Sequence, residues 1–464
     1  MKQFGKAKHI HFVGIGGIGM SGLAELLINL EYIVSGSDLK DSAATRRLSK
    51  LGCRIFKGHE RQNIQEADVV VYSSAVGLQN PELLEAKDRY VPVIPRAEML
   101  SELMRLKFGV AIAGAHGKTT TTSMVASILT QGALDPTVVI GGRLDIWGGS
   151  NAKLGQGDVL VAEADESDGS FLALSPTIAV VTNIDYEHMD HYGSMAAIRR
   201  TFVDFINKIP FYGAAILCQD NEEIQGIIPQ LRKRYITYGM NTQADLRGKD
   251  LKNETYGTSL EVIYQNQSMG RISVGMPGEH NALNALAATA VGLELDLEMG
   301  VIREGLTALG GLARRLQVKG ERDGVLFMDD YGHHPTEIMA TLKTVKTCWS
   351  EKRLVVVFQP HRYTRTRALL DRFLISFNDA DVLMVTPIYP AGEEPIENIS
   401  AENLVKGIKE HGHKEVLLCP DLEAVGPMLE KMVNPGDLVL TLGAGNIYEE
   451  GERFLKKYTV GNRR

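Results

Sequence analysis

The residues most able to do chemistry sit in a glycine loop near the end of the first quarter of the chain. In "FGVAIAGAHGKTTTTSMVASIL" an apolar run leads into Gly114, Ala115, His116, Gly117, Lys118, Thr119 and Thr120, and a helical pattern starts at the threonines. Backbone N–H groups of such a loop can wrap the β- and γ-phosphates of ATP, Lys118 can neutralise them, and the Thr119 hydroxyl can hold Mg²⁺. Without a phosphate, a lysine here would be a positive group at the positive end of a helix, which is unfavourable. The loop is a shortened Gly-x-x-Gly-Lys-Thr, because Ile112 occupies the place of the usual first glycine.

A cation bridging phosphates needs carboxylates at the ends of neighbouring strands. "DVLVAEADESDGSF" supplies Glu163, Asp165, Glu166 and Asp168, and "IAVVTNIDYEHMDHY" supplies Asn183, Asp185, Glu187, His188 and Asp190. Acidic runs are usually solvated loops. Two of them at successive strand ends, downstream of a phosphate loop, favour a shared metal centre instead. The pair His188 and His191 alone reads as surface rather than as a zinc site.

A second phosphate cradle lies upstream. "HIHFVGIGGIGMSGLAELL" is a strand, the glycines Gly14, Gly16, Gly17 and Gly19, then a helix, and Asp38 ends the next strand where a Rossmann domain places its ribose-binding acid. The fingerprint measures a pyrophosphate and a ribose, which UDP carries as well as NAD does. Ser73, Ser74 and His59 lie near other strand ends, where they could meet uracil or phosphate, or serve as ordinary loop polar groups.

These residues must be positioned by something, and Val/Ile-rich runs alternating with amphipathic helical patterns point to parallel α/β architecture. The runs include His9–Val13, Tyr32–Ser35, Val69–Ser73, Val110–Gly114, Val159–Glu163, Ile178–Asn183, Arg353–Gln359, Val382–Pro387 and Asp437–Leu442. A length of 464 residues suggests three domains. Boundaries near Arg105–Lys107 and Gly310–Ala313 divide the chain into 1–106, 107–312 and 313–464, expected to be a Rossmann-like UDP-binding domain, a P-loop ATPase-like domain and a second Rossmann-like domain. With a net charge of −7, nothing favours a nucleic-acid or anionic-membrane partner. The 4 cysteines form no CxxC pair and read as reduced thiols, and no signal or membrane-spanning run is expected, so the default compartment is the cytoplasm.

The ordered motifs resemble the Mur ligase family along all three proposed domains: the Gly-Lys-Thr-Thr loop, the glutamate after the next strand, the Asn…His-Met-Asp segment, "MPGEHNALNALAA" and "GLARRLQ". The resemblance implies that Asn281 and Asn284 lie near adenine and that Arg315 reaches ATP from the third domain. "AEADESDGSF", "DDYGHHPTEI", "FQPHRYTRTR" and "YPAGEEP" resemble the bacterial branch that joins L-alanine to UDP-N-acetylmuramate in peptidoglycan synthesis. In that branch Tyr331, His333, Arg362 and Arg365 resemble groups that meet the amino acid and the muramyl substrate. Arginines one helical turn apart can clamp a carboxylate bidentately.

Two departures stand out. Glu187 precedes His188 where the family commonly has Asp, and "MDHYGSMAAIRRTFVDFIN" lacks the lysine that other branches carbamylate. The implied reaction activates the lactyl carboxylate as an acyl phosphate, with Lys118, Glu163 and His188 as catalytic groups and Mg²⁺ on Thr119, Glu163 and His188. The small-molecule partners would be ATP, UDP-N-acetylmuramate and L-alanine, the protein a monomer or homodimer. A ligase recycling a muramyl tripeptide is the nearest alternative. A folate-type ligase lacks the first glycine-loop domain, and a nicotinamide oxidoreductase fused to an ATPase would bind NAD(P) at Gly14–Gly19.

Overall fold

The structure is a computed structural model and describes residues 4, 6–73, 75–140 and 152–459. Three sheets follow one another along the chain. The first has five parallel strands in the order Arg54–Lys57, Ile33–Asp38, His9–Val13, Val69–Tyr72, Val93–Pro95. Its order reverses between His9–Val13 and Val69–Tyr72, so the glycine loop and Ser73 border the crevice where such sheets take ligands.

The second sheet has ten strands, with Phe108–Ala113 between Ile178–Val181 and Val159–Glu163. The glycine loop that follows Phe108–Ala113 therefore opens beside the two strand ends that deliver the acidic segments. The helix Lys118–Gln131 starts at the lysine, one residue before the threonines. The third sheet runs Gln317–Arg322, Val325–Asp330, Leu438–Leu442, Leu354–Phe358, Val382–Val385, Val416–Leu418, all parallel except the first pair. Its strands are apolar on both faces: Leu354, Val356 and Phe358 join one core cluster, and Val355 and Val357 the other. No helix among the described residues is long and apolar enough to cross a membrane.

The expectation of parallel architecture almost throughout fails at Leu246–Glu254, Gly257–Tyr264 and Gln267–Val274, which form an antiparallel meander at one edge of the second sheet. The reason is legible in hindsight. Buried Leu260 and Val262 alternate with the half-exposed Glu261, a period-2 pattern of one covered face. Gln265 and Asn266 both take positive φ, as a tight hairpin turn requires.

Apolar packing divides the molecule unevenly. One continuous cluster, from Ile10 to Leu312, joins one face of the first sheet to the second sheet, a small cluster with Val13, Val70 and Leu83 covers the first sheet's other face, and the third sheet keeps its own clusters. The connection to the third sheet passes through Gly310, at φ 63°, whose carbonyl carbon lies 3.2 Å from where a side chain on Gly275 would start.

Candidate active site

The phosphate-loop conformation is fixed from the neighbouring strand. Asn183 accepts from Ala115 N at 3.2 Å with its carbonyl and from His116 N at 2.8 Å with its side chain, and Thr182 Oγ1 donates to His116 O at 2.6 Å. Gly114 takes φ 131° and a Cβ there would stand 2.2 Å from Thr182 Oγ1. At Gly117, φ 81°, it would stand 2.6 Å from Asn284 Oδ1. Lys118 Nζ folds onto its own loop, donating to Gly114 O at 2.6 Å, Ala115 O at 3.2 Å and Glu166 Oε1 at 2.8 Å. Burial opposes its charge, and Glu166 more than restores it, so its pKa is raised. Burial in turn pushes the Glu166 carboxyl up to about 7 against the pull of Lys118.

Thr119 lies in the first turn of the helix and Glu163 ends its strand in register with Ile112. His188 adopts a left-handed conformation, φ 55°, ahead of the short helix Met189–Tyr192. Its Nε2 lies 3.8 Å from Glu166 Oε1 and 3.9 Å from Glu187 Oε2, and burial lowers its pKa. The two segments meet at His188 and Glu166, but not all of their carboxylates face that point. Asp168 and Asp190 are exposed, while Asp185 and Glu187 turn toward the third sheet. Asp185 accepts from Thr336 Oγ1 at 2.7 Å and pairs with His116 at 3.0 Å and Arg372 at 3.3 Å; Glu187 pairs with Arg365 at 2.9 Å.

His116 thus sits between Asp185 and Glu337, the latter 3.2 Å away. Burial disfavours its charge, yet Glu337 and Asp185 outweigh that and raise it to about 10. Ring nitrogens of His116 and His334 and an oxygen of Asp185 lie within 4.8 Å of one another, a spacing open to a metal. The geometry speaks against one: His334 Nδ1 already accepts Thr336 N at 3.3 Å to cap the helix Pro335–Cys348, and the two ring nitrogens of His116 already face Asp185 and Glu337. The cluster is an ion-paired clasp between the second and third sheets. Burial lowers His334 to about 4, consistent with a neutral ring.

Two clefts open at this junction. One, of about 940 Å³, is lined by Gly117, Thr120, His280, Asn281, Asn284 and Arg315. Asn281 Nδ2 donates to Pro277 O at 2.8 Å, Thr121 Oγ1 donates to Asn284 Oδ1 at 3.2 Å, and burial lowers His280 to about 4. Arg315 lies over the Tyr331 ring at 5.5 Å. Its neighbour Arg314 lies over the same ring at 4.9 Å and also reaches Asp329 and the carbonyls of Gly443 and Gly445. The other cleft, of about 750 Å³, is lined by Glu187, His188, Arg362, Thr364 and Arg365. Arg362 caps the helix Tyr363–Ala368 at φ 69°. His333 donates its backbone N–H to Glu337 at 3.0 Å and holds its ring edge-on to Tyr331.

In the first sheet, Gly14 takes φ 81°, Gly16 N donates to Asp38 Oδ2 at 2.8 Å, and Gly17 precedes the helix Ile18–Asn29 without any side-chain cap. A Cβ on Gly19 would stand 3.0 Å from Arg96 Nη1, and Arg96 pairs with Asp165 at 3.6 Å. Ser73 follows its strand, while Ser74 lies outside the described residues. His59 faces inward more than a free uracil contact would: its Nδ1 meets Ser37 Oγ at 2.9 Å, beside the buried Glu82.

Family comparison agrees across the whole chain. Residues 9–108 match the Mur ligase family, catalytic domain; 112–292 match the Mur ligase middle domain; and 314–445 match the Mur ligase, glutamate ligase domain. The chain belongs to the Mur ligase family. The UDP-N-acetylmuramate–L-alanine ligase of Geobacter sulfurreducens is 59% identical over 456 residues, covering 98% of each chain. Among solved structures, the UDP-N-acetylmuramate–alanine ligase of Thermotoga maritima is 30% identical with a TM-score of 0.80, covering 98% of this chain and 99% of that one. A murein peptide ligase from Psychrobacter arcticus, at 23% identity and TM-score 0.70 over 97% and 98% of the two chains, shares the fold.

Not singled out in the sequence of this Mur ligase were the clasp residues Glu337 and Arg372, Glu166 as the Lys118 partner distinct from the other acids near it, and Arg96 over the first glycine loop. The pattern "HHPTE" did contain a signal for Glu337: Glu three positions after a capping residue closes a capping box. Arg96 carried none, because it reaches Gly19 from a helix about 75 residues further on.

Proposed function

We propose that this Mur ligase joins L-alanine to the lactyl carboxylate of UDP-N-acetylmuramate, giving UDP-N-acetylmuramoyl-L-alanine, ADP and phosphate in the bacterial cytoplasm. The observation that carries the reading is the order of charges around one junction. A bare helix N-terminus suited to a pyrophosphate stands on the first sheet, a lysine-bearing phosphate loop on the second, and a guanidinium-lined cleft against the third.

Chemistry follows from that order. ATP lies with its phosphates on Gly114–Thr120 and its base in the cleft of Asn281, Asn284 and Arg315. UDP is held by Gly14, Gly16, Gly17, Gly19 and Asp38, with Ser73 and His59 near its base. The lactyl carboxylate attacks the γ-phosphate, and an anion attacking a polyanion requires neutralisation, which Lys118 supplies once it leaves the Gly114 and Ala115 carbonyls. Alanine's amine then displaces phosphate from the acyl phosphate through a tetrahedral intermediate. Tyr331, His333, Arg362 and Arg365 orient the amino acid.

Thr119, Glu163 and His188 are the residues that would hold Mg²⁺, a set of hydroxyl, carboxylate and imidazole around the loop. Glu166 Oε2, buried without a hydrogen-bond partner among the described residues, adds a hard oxygen on the carboxyl that binds Lys118. Bound there, the cation neutralises charge on the transferring phosphoryl group.

Phosphate release from ATP and Mg²⁺, with UDP-N-acetylmuramate present and each amine added in turn, tests the reading. Release that needs both the sugar nucleotide and L-alanine is the expected result. Release with a muramyl-type tripeptide but not with alanine would move the enzyme to peptide recycling, and none with any amine would end the ligase reading.

A further inference from the structure

The guanidinium assigned to the amino acid's carboxylate is already taken. Arg365 Nη2 donates to Glu187 Oε1 at 2.9 Å, across the junction between the second and third sheets. Its Nη1 lies 3.1 Å from His361 Nδ1, a ring that burial and the surrounding guanidiniums, Arg365 and Arg362 among them, keep at about 3 and so neutral and accepting. Arg362 lines the same cleft and has no carboxylate within ion-pair distance among the described residues. Glu187 is 8% exposed at its side chain and Arg365 13%. His333 Nε2 stands 3.8 Å from Glu187 Oε1, and His188 Nε2 3.9 Å from Glu187 Oε2.

A ligand carboxylate that takes Arg365 must displace Glu187. Removing one partner of a buried ion pair strands the other charge, at a cost well above what the pair itself contributes. A simple carboxylate would leave Glu187 stranded in this way. An α-amino acid would not, since it brings an ammonium on the carbon next to its carboxylate, and both internal charges regain partners.

We propose that Glu187 receives the α-ammonium of the incoming amino acid as the amino acid's carboxylate takes over Arg365, so that the cleft selects a zwitterion by exchanging one ion pair for two. The proposal rests on the reading of the amine substrate as an α-amino acid. It gives a reason for a carboxylate at position 187, and Glu rather than Asp supplies the reach to Arg365. The exchange also leaves the nitrogen next to His188, on the side of the cleft facing Lys118 and Glu166.

The test compares L-alanine with propionate, which has the carboxylate and no ammonium, on the full-length enzyme saturated with ATP, Mg²⁺ and UDP-N-acetylmuramate. In Glu187→Gln the alanine KM rises about 30-fold or more, while inhibition by propionate stays level or tightens and the KM values for ATP and the sugar nucleotide stay within about 3-fold. Glu187→Asp recovers part of the alanine affinity. A merely structural role for Glu187 would weaken alanine and propionate equally, and that result, or unchanged alanine affinity, overturns the proposal. If a variant turns over too slowly, the same ratio is read by calorimetric titration of both ligands into enzyme saturated with a non-hydrolysable ATP analogue and the sugar nucleotide. Failure of the functional reading looks different: the unmodified enzyme releases no phosphate with any amine, while a Glu187-dependent preference for alanine over propionate remains measurable by titration.

Discussion

Gly14–Gly19 and Gly114–Gly117 both leave a parallel strand, turn through a positive-φ glycine and enter a helix whose cap contributes no side chain. They differ in where their charge comes from. The first loop has no cation of its own; Asp38 tethers Gly16 N, and the guanidinium beside Gly19, Arg96, arrives from a later helix. The second carries Lys118 at the first helical position, where the helix field disfavours it, and compensates with two loop carbonyls and Glu166. A loop that only binds can borrow charge from its surroundings. A loop at which charge must shift during reaction keeps its cation in place with a partner that gives it up to a phosphate.

The largest effect that would sharpen this contrast is loss of Lys118. Lys118→Ala should lower phosphate release about 10²–10³-fold at saturating substrates, the range of a removed electrostatic donor, while affinity for UDP-N-acetylmuramate holds. An equal loss in sugar-nucleotide binding would erase the division of labour between the loops. Next in size is Gly114→Ala. Its φ of 131° and the 2.2 Å approach to Thr182 Oγ1 leave no room for a methyl group, so a destabilisation of about 2–4 kcal/mol is expected from chemical denaturation. An unchanged midpoint would show that the loop conformation is not fixed by Thr182 and Asn183.

On the other loop, Asp38→Ala removes the acceptor of Gly16 N–H and the proposed ribose partner. The KM for UDP-N-acetylmuramate should rise about 10-fold, one hydrogen bond to a charged group, and the KM for ATP should not move. A parallel rise in both would mean that the two cradles are coupled through Arg96 and Asp165 rather than separate.

The second loop is also shared with the third sheet, and pH should reveal that. His116, raised to about 10, stabilises the clasp fully below its ordinary value of about 6.5 and loses that contribution as pH rises through about 10. Asp185 is opposed by burial but held below the usual carboxylate range by His116 and His334, so its share is present above about 4 and lost only as pH falls through its depressed value. The clasp is therefore strongest in the neutral range, and solution scattering should show the third sheet swinging away as pH passes about 10. A radius of gyration flat to pH 11 would remove His116 from the clasp.

Much of this was legible in the residues. The strands His9–Val13 and Val159–Glu163 are unmistakable apolar runs, and both glycine loops stand where their spacing puts them, between a parallel strand and a helix. The partners of the charges were not. Asp185 and Glu187 read as metal-site acids because their strand ends near the phosphate loop, but a neighbouring sheet supplies Arg372, Thr336 and Arg365, residues that lie 151 or more positions away. The antiparallel meander was lost for a different reason: its period-2 pattern is local, but it follows six parallel strands of the same sheet.

The smallest expected effect is at Gly19, and it separates the loops most finely. Gly19 is helical and has no positive φ, so alanine there gains helix propensity of about 1 kcal/mol. The added methyl would stand 3.0 Å from Arg96 Nη1 and 3.1 Å from its Cδ, the far part of a flexible arm that can give way. Stability should therefore stay within about 0.5 kcal/mol of the parent, unlike Gly114→Ala, because the gain and the displacement nearly cancel. What moves is Arg96, away from the helix N-terminus and from Asp165 at 3.6 Å. If the first loop borrows its positive charge from that guanidinium, Gly19→Ala raises the KM for UDP-N-acetylmuramate about 3-fold, and an Arg96→Lys change on top of it adds little further. A full additive effect of the second change would show that the methyl acts on the loop backbone itself and that the borrowed charge belongs to some other group.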